Sequence, residues 1–304
     1  MGGGMKVPGT AGPTLAAQAP DAVELRVGGR EVARYVWRPE LPPSTAPRPF
    51  LHPVRTLAGC LVTDARPDSH THQLGISIAA PDIDGRNFWG GRTFVAGHGP
   101  AWLDDHGMQR HQRWLTLSDT DLVHTVRWVD AGRAILLRER RSIVCRPVNR
   151  DAWALRVRTR LANATRRPLP IRSPAALGRP GAGYGGFFWR GPAVTGPVRV
   201  LSQDGTGVRA VHGKTADWVA VGGLDSENRE WTVVFLPGNA ETAMDRWFVR
   251  ARDYLGVGSS LAWDRPLVLE PGESIDRNVI AVVADGALAA DEAAALAATA
   301  RSAA

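Results

Sequence analysis

Lysine is almost missing from this chain: of 37 basic residues only Lys6 and Lys214 are lysines, and the rest are arginines. Such a skew has the look of a genome-wide codon bias. The arginines are spread along the whole length, so neither the net charge of +7 nor a pI near 10.3 argues for a phosphate-tracking stripe. No nucleic-acid partner is expected on this reading. Cysteine is equally scarce. Cys60 and Cys145 stand outside any CxxC or metal-finger spacing, which points to buried thiols and a reducing cytoplasm. No apolar run approaches the ~20 residues of a membrane helix, so a soluble chain with no membrane partner is expected. A phosphate-cradling GxxxxGK[ST], a GxSxG elbow and a dinucleotide-binding βαβ pattern are all missing, which removes the chemistries they serve.

What is present is strand. Val23 to Val27 alternates apolar and polar residues, and Leu155 to Leu161 does the same with three arginines on one face. Further branched apolar runs occur at Leu122 to Val129, Ala134 to Leu137, Trp218 to Val221, Trp231 to Leu236, Leu267 to Leu269 and Val279 to Val283, separated by Gly, Pro, Asp or Asn. The rhythm predicts an all-β chain, a large antiparallel β-sandwich. Pro271 and Gly272 at the centre of Glu270 to Glu273 suit a type II, hairpin-like turn. Asp291 to Ala300, with acids first and alanines after, predicts one short C-terminal helix. The expected organisation is a disordered segment over 1–20 with Met5 as an alternative start, a single sandwich domain over 21–286, and an Ala-rich helix or tail over 287–304.

Chemistry-bearing residues concentrate between Arg48 and Trp114, where most of the eight histidines lie beside arginines and tryptophans. The segments are RPFLHPVRT, SHTHQLG, NFWGGRTF and HGMQRHQRW. If Ser69 to Gln73 is extended, His70 and His72 project from one face, because side chains two apart share a face of a strand. A second concentration lies at Ser173 to Gly191, where six glycines surround Tyr184, Phe187, Phe188 and Trp189. Glycine there lets backbone approach a ligand, and the aromatics offer flat faces; a loop capping the core reads equally well. Trp89, Trp102 and Trp189, in turn-rich segments, are candidate platforms for a pyranose ring. Trp128, Trp153, Trp218 and Trp231 sit in strand patterns and are expected in the core.

These segments, followed by WFVR and PLVLEPGESIDRNVIAVVADG, give the chain over about residues 31 to 286 a motif order that resembles the PmoA-like family of bacterial proteins of unassigned function. The methane monooxygenase label attached to that family describes a membrane protein and is no guide to the chemistry of a chain without a membrane span. The resemblance implies a soluble β-sandwich in a setting of sugar catabolism, with a supersandwich architecture similar to aldose epimerases. Where the family often has Asp-His-x-His-His-x-Gly, this chain has Ser69, His70, Thr71, His72, Gln73, Leu74 and Gly75. It therefore lacks the acid and the third imidazole.

Imidazoles titrate near neutrality, so His52, His70 and His72 are expected to transfer protons at a sugar or modified glycoside, as in an epimerase, lyase or hydrolase. Arg55, Trp89, His111, Arg113, Tyr184, Trp189 and Arg250 are expected to bind the substrate, a small carbohydrate. One alternative is a non-catalytic, sugar-binding or sensory sandwich. Another is a metal-dependent enzyme in which His70, His72 and His111 hold a divalent ion. No cofactor is otherwise expected, and a homo-oligomer is compatible with the chain.

Overall fold

The computed structural model describes residues 21–193 and 195–302. The segment over 1–20, expected to be disordered, lies outside them. The fold is a large antiparallel β-sandwich. Its seven-stranded sheet runs in the order Ala22–Val27, Arg30–Val36, Phe50–Val54, Ile76–Ala79, Gly186–Arg190, Gly256–Ser260, Trp247–Arg250. The nine-stranded sheet runs in the order Gly205–Thr206, Thr195–Ser202, Val219–Leu224, Glu230–Pro237, Ser274–Asp285, Ala152–Asn163, Ile135–Pro147, Asp121–Val129, Met108–Leu117. Every apolar run picked out in the sequence lies in or at the start of one of these strands or of Leu267–Leu269.

The alternation along each strand sorts its side chains. On Ala152–Asn163, Leu155, Val157 and Leu161 are buried between the sheets, while Arg158 and Arg160 are exposed on the outer face. Trp128, Trp153 and Trp231 are fully buried and Trp218 nearly so, as their strand context predicts. The sheets share one core, with Trp189 meeting Phe235 edge-on at 5.1 Å. That core also contains an ion pair: Arg141 Nε is 2.7 Å from Glu139 Oε1, and both side chains are almost wholly buried. Trp128 Nε1 and the Thr159 hydroxyl donate to the same carboxylate, which satisfies a charge that would otherwise be too costly to bury.

The helix Ala290–Ser302 packs Ala293, Ala297 and Ala300 against Trp218, Ala220, Leu236, Ile280 and Val282, on the outer face of the nine-stranded sheet. Two local expectations need correction. Glu270 to Glu273 is a tight turn, with Gly272 at φ 78° and the Glu273 N–H donating to the Glu270 carbonyl at 2.9 Å. It is no hairpin, however, because Leu267–Leu269 pairs with Leu169–Arg172 while Ser274–Asp285 enters the large sheet. Arginines scattered in sequence are also not scattered in space: antiparallel register places Arg140 opposite Arg160, and Arg127 opposite both Arg110 and Arg138.

Candidate functional site

A cleft of about 640 Å³ opens on the outer side of the seven-stranded sheet, and the segments 68–73 and 89–92 with Arg179, Tyr184, Phe248, Arg250 and Tyr254 form its walls. His70 and His72 both line it, though not as strand neighbours. Asp68–His70 is a 3-10 turn, closed by the His70 N–H donating to the Pro67 carbonyl at 2.8 Å, and the Gln73 N–H continues the coil to the His70 carbonyl at 2.9 Å. Coiling, not pleating, brings the two rings to a centroid distance of 5.8 Å.

The position of His72 is built by residues beneath it. Asn87 Oδ1 accepts from the N–H groups of Trp89 and Gly90, both at 2.8 Å, and so folds the Asn-aromatic-Gly segment into a tight turn. Gly90 and Gly91 have φ of 95° and 70°, conformations that disfavour any residue with a Cβ. A Cβ on Gly91 would stand 2.7 Å from His72 Nδ1, so the imidazole rests directly on bare backbone. His106, buried, holds the same turn by a 2.8 Å bond between Nε2 and the Gly91 carbonyl.

Arg48 ties the pieces together. Its guanidinium is fully buried and donates to the carbonyls of Thr45, Ala46 and Trp89, to the Ser77 hydroxyl, and to the His72 carbonyl, at 2.9–3.1 Å. Among the described residues no carboxylate lies within ion-pair distance of it. Burial and then the Arg141 charge push its pKa down to about 9, so it remains a cation at neutral pH. That positive charge falls on His72. Burial first, then Arg48, His70 and His106, depress the His72 pKa to about 3, which leaves a neutral imidazole at physiological pH. The ring makes no hydrogen bond among the described residues, so its nitrogens are available to a ligand. His70, nearer the surface, is lowered by burial and by Arg190.

The rest of the cleft lining is aromatic and polar. Trp89 stacks obliquely on Tyr184 at 4.6 Å and meets Phe188 at 4.8 Å, while Tyr254 faces His70 at 5.3 Å. Burial raises the Tyr184 hydroxyl to about 12 and the Tyr254 hydroxyl in the same direction, so both are protonated donors at neutral pH. Trp102, 63% exposed, stands at the rim with Arg92, Arg179 and Arg250. Gln73 Oε1 is buried on this side without a hydrogen-bond donor.

Of the residues singled out in the sequence, the cleft gathers His70, His72, Trp89, Tyr184 and Arg250, together with Trp102. The others lie elsewhere. His52 Nδ1 is 3.0 Å from the Thr63 hydroxyl, and Arg55 is an exposed side chain bonded to the Gly59 carbonyl. Trp189 is 1% exposed and its Nε1 donates to the Val62 carbonyl, so it is core and offers no face to a ligand. His111 packs at a tilt against Trp37 at 4.6 Å and bonds His124 Nδ1 at 2.9 Å, and His124 continues to the Tyr35 hydroxyl at 2.8 Å. His111 therefore belongs to a polar chain between the sheets and cannot join His70 and His72 on one ion. Arg113 points outward from the edge strand Met108–Leu117. Among the described residues no group of three or more His, Cys, Asp or Glu is placed to hold a metal ion, and no helix is long and apolar enough to cross a membrane.

Arg48, Gln73, Arg179 and Tyr254 were not singled out as site residues. Tyr254 had a faint signal as one of only three tyrosines, two of which line the cleft. Arg48 had none, because nothing in a sequence marks which arginine among dozens will be enclosed.

Among solved structures, a putative aldose 1-epimerase from Escherichia coli K12 aligns at 13% identity over 87% of this chain and 99% of that one, with a TM-score of 0.46. The heparan sulfate lyase HepC from Pedobacter heparinus aligns at 13% identity over 60% of this chain, with a TM-score of 0.28, and this chain spans only 22% of it. No curated protein matches the chain. The profile of a family of unknown function, DUF6807, matches residues 22–298, nearly the whole described chain, and the chain belongs to that family.

Proposed function

We propose that the cleft binds a small carbohydrate and that the protein is a sugar-transforming enzyme of the epimerase, lyase or hydrolase kind, working in the cytoplasm. The observation that carries this reading is the neutral, unbonded His72 imidazole, seated on Gly91 and facing a cleft whose lining also offers aromatic rings and protonated tyrosines. Sugars present alternating hydroxyls and apolar C–H faces, which such a lining matches. His70 and His72 are the proton-transfer candidates, with Tyr184 and Arg250 orienting the ring. His52 is left out because it lies outside the cleft lining. The motif order that resembles the PmoA-like family belongs to the same reading.

A second reading has its own support. A pKa near 3 makes His72 a reluctant proton acceptor and a good neutral hydrogen-bond partner, which suits a non-catalytic sugar receptor. A mass-resolved screen of aldoses, keto-sugars and glycosides, run beside thermal-shift binding on the same library, separates the two. Turnover lost in a folded His72→Ala protein supports the enzyme; binding without any turnover supports the receptor. Unchanged turnover in folded His70→Ala and His72→Ala proteins sinks the catalytic assignment.

A further inference from the structure

The outer face of the nine-stranded sheet has two unlike halves. One half, over Val219–Leu224, Glu230–Pro237 and Ser274–Asp285, is apolar and covered by the C-terminal helix. The other half, over the four strands from Met108–Leu117 to Ala152–Asn163, lies beyond that cluster except at Ala152 and Ala154, and two rows of arginine stand on it. Register aligns Arg110, Arg127 and Arg138 in one cross-strand row, and Arg113, Arg140 and Arg160 in the next row with Thr125 between. Five of these six line a shallow groove of about 710 Å³.

Neighbouring strands are ~4.8 Å apart, so these guanidinium stems start unusually close for like charges, and like charges directly opposite destabilise a sheet. The face contains no remedy of its own. Arg158 pairs with Asp276 at 2.6 Å and Arg146 with Asp121 at 2.7 Å, which uses the acids at the margin. Among the described residues none of the six arginines in the two rows has a carboxylate within 4.0 Å, and Glu139, which also lines the groove, turns its carboxylate inward to Arg141.

We propose that this arginine face binds double-helical nucleic acid through its phosphates. The charge density selects the ligand. A duplex carries about one charge per 1.7 Å of axis, the density that six unpaired guanidiniums within two strand rows can neutralise, and the guanidinium fork matches phosphate oxygens in pairs. Side-chain chemistry excludes the neighbours. The outward positions of the two rows hold arginine, threonine and alanine and no aromatic ring, so neither base stacking on a single strand nor sugar stacking on a polysaccharide has a platform. Four strands ~4.8 Å apart make a face too broad to enter a major groove, which admits a helix or a two-stranded ribbon, so the arginines meet the backbone and contact is without sequence preference. The surface is separate from the sugar cleft and does not depend on what that cleft does.

The test is fluorescence anisotropy of a labelled, arbitrary-sequence duplex of about 20 base pairs with the full chain, titrated with salt. With some five phosphates neutralised, the log–log salt slope is about −4 to −5, a loss of several hundredfold in affinity between 50 and 200 mM salt. Arg127→Gln/Arg138→Gln/Arg140→Gln removes three contacts, flattens the slope by about 2–3 and weakens binding at least tenfold at 50 mM salt. Its melting temperature is unchanged or higher, since like-charge repulsion is relieved, which keeps loss of binding distinct from loss of fold. The triple lysine variant retains most of the slope. No duplex binding at 50 mM salt, or a glutamine variant that binds as the wild type does, overturns the proposal. So does a result in which polygalacturonate or vesicles rich in phosphatidylglycerol bind more tightly per charge than the duplex.

Discussion

Arg48 Nη2 donates to the carbonyl of His72 at 2.9 Å, and the same guanidinium holds the carbonyl of Trp89 at 3.0 Å. One buried cation thus ties together two segments that pack against each other at the candidate site, and after burial its charge is the next cause that keeps the imidazole it positions neutral. Substitution by methionine preserves volume but strands several buried carbonyls. Arg48→Met is expected to lose roughly 3 kcal/mol in denaturant unfolding, and Arg48→Lys somewhat less, because an ammonium cannot fork to so many acceptors. Loss of less than 1 kcal/mol in Arg48→Met would show that the bonds are not formed in solution.

Gly91→Ala meets two penalties, positive φ and a Cβ 2.7 Å from the His72 ring. Gly59, at φ 93° with open space around it, meets only the first. Both alanine variants should lose about 1 kcal/mol from backbone conformation. Only Gly91→Ala should also displace the imidazole, seen as a shifted His72 ring resonance and weakened binding of whatever sugar the screen identifies. Equal effects of the two substitutions on binding count against His72 as a contact.

The depressed His72 pKa has a signed consequence for stability. A histidine whose folded value lies near 3 and whose unfolded value is near 6.5 contributes stability that is complete above pH 6.5 and is lost as pH falls toward 3. The slope from this one group is up to about 1.4 kcal/mol per pH unit. His124, buried and lowered in the same direction, adds its own share. Urea midpoints measured between pH 7 and pH 4 should therefore fall less steeply for His72→Gln than for the wild type. Parallel curves would mean that the ring is solvated and titrates normally.

Glu139 accepts from Arg141, Trp128 and Thr159 inside the core. Glu139→Gln leaves the Arg141 guanidinium buried without its counter-charge, and a loss of 3–5 kcal/mol is expected in chemical unfolding. Near-neutral behaviour would indicate that water reaches the pair.

Trp102, exposed at the cleft rim, should tell the opposite story. Trp102→Ala is expected to leave stability within about 0.5 kcal/mol of the wild type. Sugar binding should weaken by several-fold if the indole stacks on a pyranose ring. Unaltered affinity would remove Trp102 from the site.

Strand positions, the two-faced alternation of Leu155 to Leu161, the four core tryptophans and the terminal helix were all legible in the sequence. Each is a property of short-range periodicity, and burial follows period two wherever a strand has one face to the core. The neighbourhood of the candidate site was legible too, because unusual residue types were dense between Arg48 and Trp114. Its membership was not. His52, Arg55 and His111 share that stretch with His70 and His72, yet one bonds Thr63, one is an exposed side chain, and one joins His124 and Tyr35 between the sheets. Which way each side chain turns depends on coils and bulges that composition does not encode.

By itself, then, the sequence determined which segments are strands and which face of each is apolar, since both depend on residues two positions apart. Only the tertiary structure decided the two relationships that matter most. Arg48 became the buried hub beneath His72 because two distant carbonyls, those of His72 and Trp89, converge on it beside the local ones of Thr45 and Ala46, and arginines dispersed over about fifty residues became one charged surface because antiparallel register sets Arg110, Arg127 and Arg138 side by side. Both are consequences of long-range pairing, which no local pattern contains.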